Sequence, residues 1–99
     1  MAIEIVRLLS SEEIIGDVTP TEKGVKIDKP MQLHIAPGKK PGEINIHLAP
    51  YLPFGKKNEV ELKESIIVTV YEPADELAER YRKHFSPIIT ASQGLISKI

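Results

Sequence analysis

Residues 66–71 read Ile66-Ile67-Val68-Thr69-Val70-Tyr71, which is the strongest strand-forming segment of this chain. Every side chain is β-branched or aromatic, and the segment contains no charge, proline or glycine. A free sheet edge of this composition would pair with other chains and aggregate. We therefore expect this strand to lie inside a sheet, to be covered, or to pair with another subunit.

Further strand signals precede this segment at residues 3–9, 14–19, 25–35, 44–48 and 60–62. Gly16 lies inside the second strand, where glycine often marks a bend or a close approach of two backbones. The third strand has its apolar side chains at one parity, namely Val25, Ile27, Met31, Leu33 and Ile35. Pro30 interrupts this strand and indicates an edge position or a bulge. Residues 25–35 and 44–48 form a plausible hairpin across an exposed Pro- and Gly-rich loop.

A helix is predicted to begin near Pro73, with Asp75 and Glu76 at the positive end of its dipole, and to end before Pro87. One apolar stripe at helical spacing should face the core: Ala74, Leu77, Ala78, Tyr81 and Phe85. Arg80 and Lys83 should then face water. Residues 86–99 are too apolar for a simple disordered tail, which favours packing on a neighbour or a short second helix. The predicted domain organisation is a β-barrel formed by residues 1–72, with a helix and tail formed by residues 73–99 that pack on the same domain.

Composition places this chain among small globular proteins with a single core. Its 99 residues carry a net charge of −1 and no cysteine, so disulfides, thiolate metal sites and cysteine nucleophiles are excluded. No apolar run approaches the ~20 residues of a membrane-spanning helix, and we expect a cytoplasmic protein with no membrane partner. The short basic clusters, such as residues 80–84, are most simply solvated surface.

Signatures of catalysis are lacking, and we expect neither an enzyme nor a cofactor. The chain has no phosphate-binding glycine loop, no nucleophile elbow and no metalloprotease helix motif. His34 and His47 fall on the polar face of the predicted hairpin, where they can be neighbours, but two imidazoles without a third ligand do not make a metal site. Residues 50–58 are irregular and apolar, which suits either a loop folded onto the barrel or a contact surface.

Four segments resemble the motifs of the Sm-like family, which comprises the Sm, LSm and Hfq ring proteins. The first motif is similar to Val6-Arg7-Leu8-Leu9, Ile15-Gly16-Asp17-Val18 and Val25-Lys26-Ile27-Asp28. The second motif is similar to Leu62-Lys63-Glu64-Ser65-Ile66-Ile67. The resemblance covers about two-thirds of the chain and is compatible with a divergent member of the kind that phages encode.

This resemblance implies a mainly β fold, a small, strongly bent five-stranded antiparallel barrel, here with a C-terminal α-helix. It also implies a homo-oligomeric ring in which Ile66, Ile67, Val68, Thr69, Val70 and Tyr71 form the subunit interface. Single-stranded RNA would be the ligand, and Lys63, Lys23 and Glu22 would face the central pore. The chain departs from the family at residues 21–24, which lack its Asn and aromatic residue, and at Lys63-Glu64, where the family has Arg-Gly.

Two functions therefore stay open. One is a ring-forming, weakly RNA-binding or RNA-chaperone protein, which the fold analogy favours. The other is a viral or cellular assembly or scaffold oligomer without RNA binding, which the near-zero net charge and the altered pocket residues favour.

Overall fold

The computed structural model of the protein describes residues 2–85. In this part of the chain six strands are followed by one helix, and turns or loops join them. A single 3-10 turn, Glu64–Ile66, joins the last two strands. The strands and the helix are β1 Ile3–Leu8, β2 Glu13–Pro20, β3 Gly24–Pro37, β4 Ile44–Pro50, β5 Glu59–Lys63, β6 Ile67–Tyr71 and α1 Asp75–Phe85.

The strands form one antiparallel sheet in the order β4-β3-β2-β1-β6, with β5 also paired to β3. This confirms the predicted mainly β fold, and within residues 2–85 one helix follows the strands. The sheet has six strands because β3 is 14 residues long and, besides β2, pairs with β5 along its first half and with β4 along its second. Within the described residues β5 and β6 do not pair, so the sheet stays open between them.

A bulge in β3 bends the sheet where Pro30 predicted an edge or a bulge. Ile15 lies opposite Met31 whereas Asp17 lies opposite Asp28, so β3 carries one extra residue here. Lys29 adopts a φ of 54°, a left-handed conformation uncommon outside glycine. Because side chains alternate along a strand, one inserted residue moves the following side chains to the opposite face.

Gly16 is required where β2 crosses this bulge. A Cβ atom built on Gly16 would lie 2.4 Å from Cγ2 of Ile27 and 3.0 Å from the carbonyl oxygen of Asp28. The close approach of two backbones predicted for this glycine is confirmed, and any side chain here would push β2 away from β3.

The bulge divides the buried apolar side chains into two clusters, one on each face of the sheet. The inner cluster consists of Val6, Leu8, Ile14, Val18, Val25, Ile27 and Leu62. The helix-side cluster consists of Ile5, Ile15, Met31 and Tyr81. Because the apolar residues of β3 are two or four positions apart, the sequence predicted that they share one face of the sheet. In the structure Val25 and Ile27 belong to the inner cluster, whereas Met31 belongs to the helix-side cluster.

Helix α1 covers the helix-side cluster, and four of the five predicted stripe residues are buried or half-buried. Ala74 differs from the prediction, because it precedes the helix and is exposed. Ala78 and Tyr81 are buried, and Leu77 and Phe85 pack partly buried against the cluster. The Tyr81 hydroxyl donates a hydrogen bond of 2.7 Å to the carbonyl oxygen of Lys29, so the helix satisfies a backbone acceptor that the bulge removes from the strand ladder. The prediction that the tail packs on the same domain concerns residues 86–99, which lie outside the described residues.

Candidate assembly edge and lysine turn

The predicted interface strand lies at an edge of the sheet. β6 pairs with β1 through the partners Val6 and Val70 and through Arg7 and Thr69. No other strand within residues 2–85 pairs with its outer side. Val68 is 56% exposed, and Val70 and Tyr71 are also exposed. Ile66 belongs to the 3-10 turn rather than to the strand. The segment is therefore neither central in the sheet nor covered by another described element.

The inner cluster reaches both strands that border the opening of the sheet. Ile67 of β6 packs against this cluster from one side. Leu62 belongs to it and Val60 packs against it from β5, on the other side. Each of the two edge strands thus contributes apolar side chains to the same buried cluster.

The three edge strands differ in what protects them. β4 is partly blocked, because the Arg80 guanidinium donates a hydrogen bond of 2.7 Å to the carbonyl oxygen of Ile46. β5 carries charged side chains at alternate positions, and Lys26 of β3 lies 3.2 Å from the Glu59 carboxylate. Charged side chains and covering groups are the usual protection of a sheet edge. Within the described residues, β6 has no charged side chain and no side chain that hydrogen-bonds to its outer backbone edge.

Tyr71 holds the end of β6 to the neighbouring strands. Its hydroxyl donates a hydrogen bond to the Glu13 carboxylate at the start of β2. Burial, this hydrogen bond and the negative charge of Glu13 raise the pKa of Tyr71 to about 12, against a smaller opposite effect of Arg7. Burial also raises the pKa of Tyr81, with a further contribution from the charges of Asp28 and Asp17.

These pKa shifts predict an alkaline loss of stability. A phenol whose pKa is higher in the folded than in the unfolded state binds its proton more tightly when folded. The stabilising contribution is complete below about pH 10, the unfolded value, and is lost as the pH rises through the folded pKa. We expect tyrosinate absorbance to appear only well above pH 10, and thermal stability to fall between about pH 10 and pH 12.

Lysine deprotonation overlaps this pH window, so Tyr71→Phe provides the control. The alkaline loss of stability should be smaller in this variant than in the wild type. An unchanged pH profile in Tyr71→Phe would contradict the assignment to Tyr71.

The predicted RNA-contact residues meet at one end of the sheet. Gly24 pairs with Lys63 across β3 and β5, and the Glu64 amide donates a hydrogen bond of 2.8 Å to the carbonyl oxygen of Lys23. Lys23, Lys63 and Glu22 are all exposed. We call Glu22, Lys23, Lys63 and Glu64 the lysine turn. Its two cations and two anions balance, so it offers phosphate contacts without a net positive field.

The complementary edge was not identified from the sequence. Residues 60–62 predicted only a short strand, since alternation of apolar and polar residues reports which side chains are buried and not which backbone edge is free. Within residues 50–58, Tyr51 packs against the inner cluster, as expected for a loop folded onto the sheet, whereas Phe54 is 99% exposed.

Histidine pairing follows the prediction, since His34 and His47 lie directly opposite each other on β3 and β4. Among residues 2–85, no three His, Cys, Asp or Glu side chains come together in a way that could hold a metal ion. In the same part of the chain, no helix combines the length and the apolar character needed to cross a membrane. The sequence matches no protein-family model and no curated protein.

Proposed function

We propose that this protein is a non-enzymatic Sm-like subunit that forms a closed homo-oligomeric ring. The outer side of β6 in one subunit pairs with the outer side of β5 in the next. The observation that carries the proposal is the unprotected edge of β6, with Val68 and Val70 exposed beside backbone groups that no strand within residues 2–85 engages.

The two edges are suited to each other. β5 and β6 are each five residues long, so their ladders can match along their whole length. The inner cluster reaches both strands, through Leu62 and Ile67. Pairing between neighbours would therefore join the inner clusters of adjacent subunits and bury the apolar side chains of β6. Because the two edges differ, the contact is head-to-tail, and such contacts form rings when the rotation between subunits closes.

Sedimentation equilibrium of the purified protein tests the ring. We expect one species containing several subunits, with a mass that stays constant over a wide range of protein concentration. A single species at 11.0 kDa, the mass of one chain, would exclude the ring.

We further propose that the ring contacts single-stranded RNA weakly at the lysine turn. Support comes from the pairing of Gly24 with Lys63, which brings two exposed lysines to the same end of β3 and β5. Lysines that replace counterions on phosphates give binding that falls steeply with salt. Glu22 and Glu64 oppose this attraction, and the turn has no aromatic side chain on which a base could stack.

RNA titration tests this second proposal. Oligo-U and oligo-A should bind weakly and with similar affinities at low salt, and Lys23→Ala and Lys63→Ala should each weaken binding. Lys26→Ala is the matched control, since Lys26 lies on β3 close to Lys23 but already pairs with Glu59 at 3.2 Å. If Lys23→Ala and Lys63→Ala bind RNA as the wild type does, the lysine turn is not the contact. If no RNA binds at low salt, the ring acts as a scaffold.

A further inference from the structure

A groove of about 480 Å³ lies between β4 and the C-terminal half of α1, away from the lysine turn. Its lining residues are His47 and Leu48 of β4 with Arg80, Lys83 and His84 of α1. Four of these five side chains are cationic or can become so, and all five belong to one subunit.

No carboxylate within residues 2–85 pairs with the cationic side chains of this groove. Within residues 2–85 neither Arg80 nor Lys83 forms an ion pair, whereas their neighbour Arg82 pairs with Glu79 at 3.3 Å. Residues 86–99 contain no Asp or Glu. The end of α1 also gains a further cation from outside the helix, because Lys29 Nζ lies 5.8 Å from the centre of the Phe85 ring.

The groove also has fixed donors and apolar surface. One guanidinium nitrogen of Arg80 is held by the Ile46 carbonyl at 2.7 Å, which positions the side chain. Its remaining N–H groups donate to no acceptor among the described residues, and a guanidinium presents five such donors in a planar fork that suits phosphate. The rings of His47 and His84 and the side chain of Leu48 line the same space, and imidazole rings can stack on a nucleic-acid base.

We propose that the groove between β4 and α1 binds a nucleoside phosphate, with Arg80 and Lys83 on the phosphate and the imidazoles of His47 and His84 beside the base. The ligand is a free nucleotide or one unit of a single-stranded polynucleotide, which share this chemistry. The inference does not depend on the ring, since every lining residue comes from one subunit. It is also separate from the RNA contact at the lysine turn.

The test measures binding of labelled oligo-U by fluorescence anisotropy at low salt, with UMP as competitor. Lys83→Glu is expected to weaken oligo-U binding by about tenfold or more, as for loss of a charge-assisted hydrogen bond. Lys83→Glu should also make the salt dependence weaker, reducing the magnitude of the negative slope of log K against log salt concentration by about 1. Competition by UMP identifies a mononucleotide site, whereas oligo-U binding that UMP does not affect identifies a polynucleotide site.

Arg82→Glu is the matched control, because it makes the same change of charge one position before Lys83 in the helix. Arg82 does not line the groove. The two variants are also compared at ~0.15 M salt, where the Debye length is about 8 Å. There the effect of Arg82→Glu on affinity should stay within about twofold, since exposed charges outside the groove are screened. Lys83 and Arg82 are both exposed, and thermal melting checks that both variants fold.

Three results would overturn the proposal. One is that neither oligo-U nor UMP binds at low salt. Another is that Lys83→Glu and Arg82→Glu weaken binding equally, which would indicate a general charge effect. The third is that Lys23→Ala and Lys63→Ala abolish binding while Lys83→Glu leaves it unchanged, which would assign all RNA contact to the lysine turn.

Discussion

Replacing Val68 with lysine is expected to leave the subunit folded and to abolish its assembly. Val68 is 56% exposed in the single subunit, so a lysine there keeps its ammonium in water without disturbing the fold. In the proposed ring the same side chain would lie beside the apolar surface of the next subunit, where an unpaired charge is costly. Sedimentation should therefore change from a multi-subunit species to one of 11.0 kDa.

Ile35→Lys is the matched control for this experiment. Ile35 is another exposed β-strand residue, at 65%, and the substitution makes the same change of size and charge. It lies on the half of β3 that pairs with β4, opposite Ile46, rather than on β5 or β6. Assembly should survive in this variant. Wild-type sedimentation of Val68→Lys, with Ile35→Lys unchanged, would exclude β6 as the contact.

Truncating Tyr81 to alanine is expected to destabilise the fold more than any other single change considered for α1. Tyr81 is buried in the helix-side cluster, and its ring lies 5.0 Å from that of Phe85. Removing a buried aromatic side chain typically costs about 3–5 kcal/mol. Since small domains are stable by only about 5–15 kcal/mol, denaturant unfolding should show a large drop in midpoint.

Tyr81→Phe separates the packing of the ring from the hydrogen bond of its hydroxyl. The ring stays in the cluster, but the carbonyl oxygen of Lys29 loses its 2.7 Å donor. Leaving a partly buried acceptor unpaired should cost about 1–3 kcal/mol. If Tyr81→Phe is as stable as the wild type, the helix does not hold the bulge through this bond. If Tyr81→Ala loses no more than Tyr81→Phe, the packing argument fails.

The sequence was sufficient for the elements that depend on local patterns. The apolar stripe of α1 identified Tyr81 and Leu77 as core-facing, because residues three and four apart share one side of a helix wherever it docks. Gly16 was recognised as a bend or close approach, since only glycine leaves room for a second backbone. The pairing of His34 with His47 followed from alternation across a hairpin.

The alternation of apolar and polar residues did not predict the burial pattern of β3 beyond Lys29 and Pro30. One inserted residue there moves the following side chains to the opposite face of the sheet. The parity of Val25, Ile27 and Met31 predicted one shared face, and the structure divides them between two clusters. A left-handed φ at a lysine has no signature in the sequence. It is held by contacts from distant parts of the chain, including the Tyr81 hydroxyl.

What the sequence determined by itself is the local character of each segment: which runs form strands, which stripe of the helix is apolar, and that residues 67–71 form an uncharged β-strand. The tertiary structure alone decided which sheet edges are left open and which are blocked. It also placed His47 beside Arg80 and Lys83, 33 and 36 positions away along the chain. The physical reason is that side-chain periodicity reports burial, whereas free backbone edges and grooves arise only when separate segments pack together.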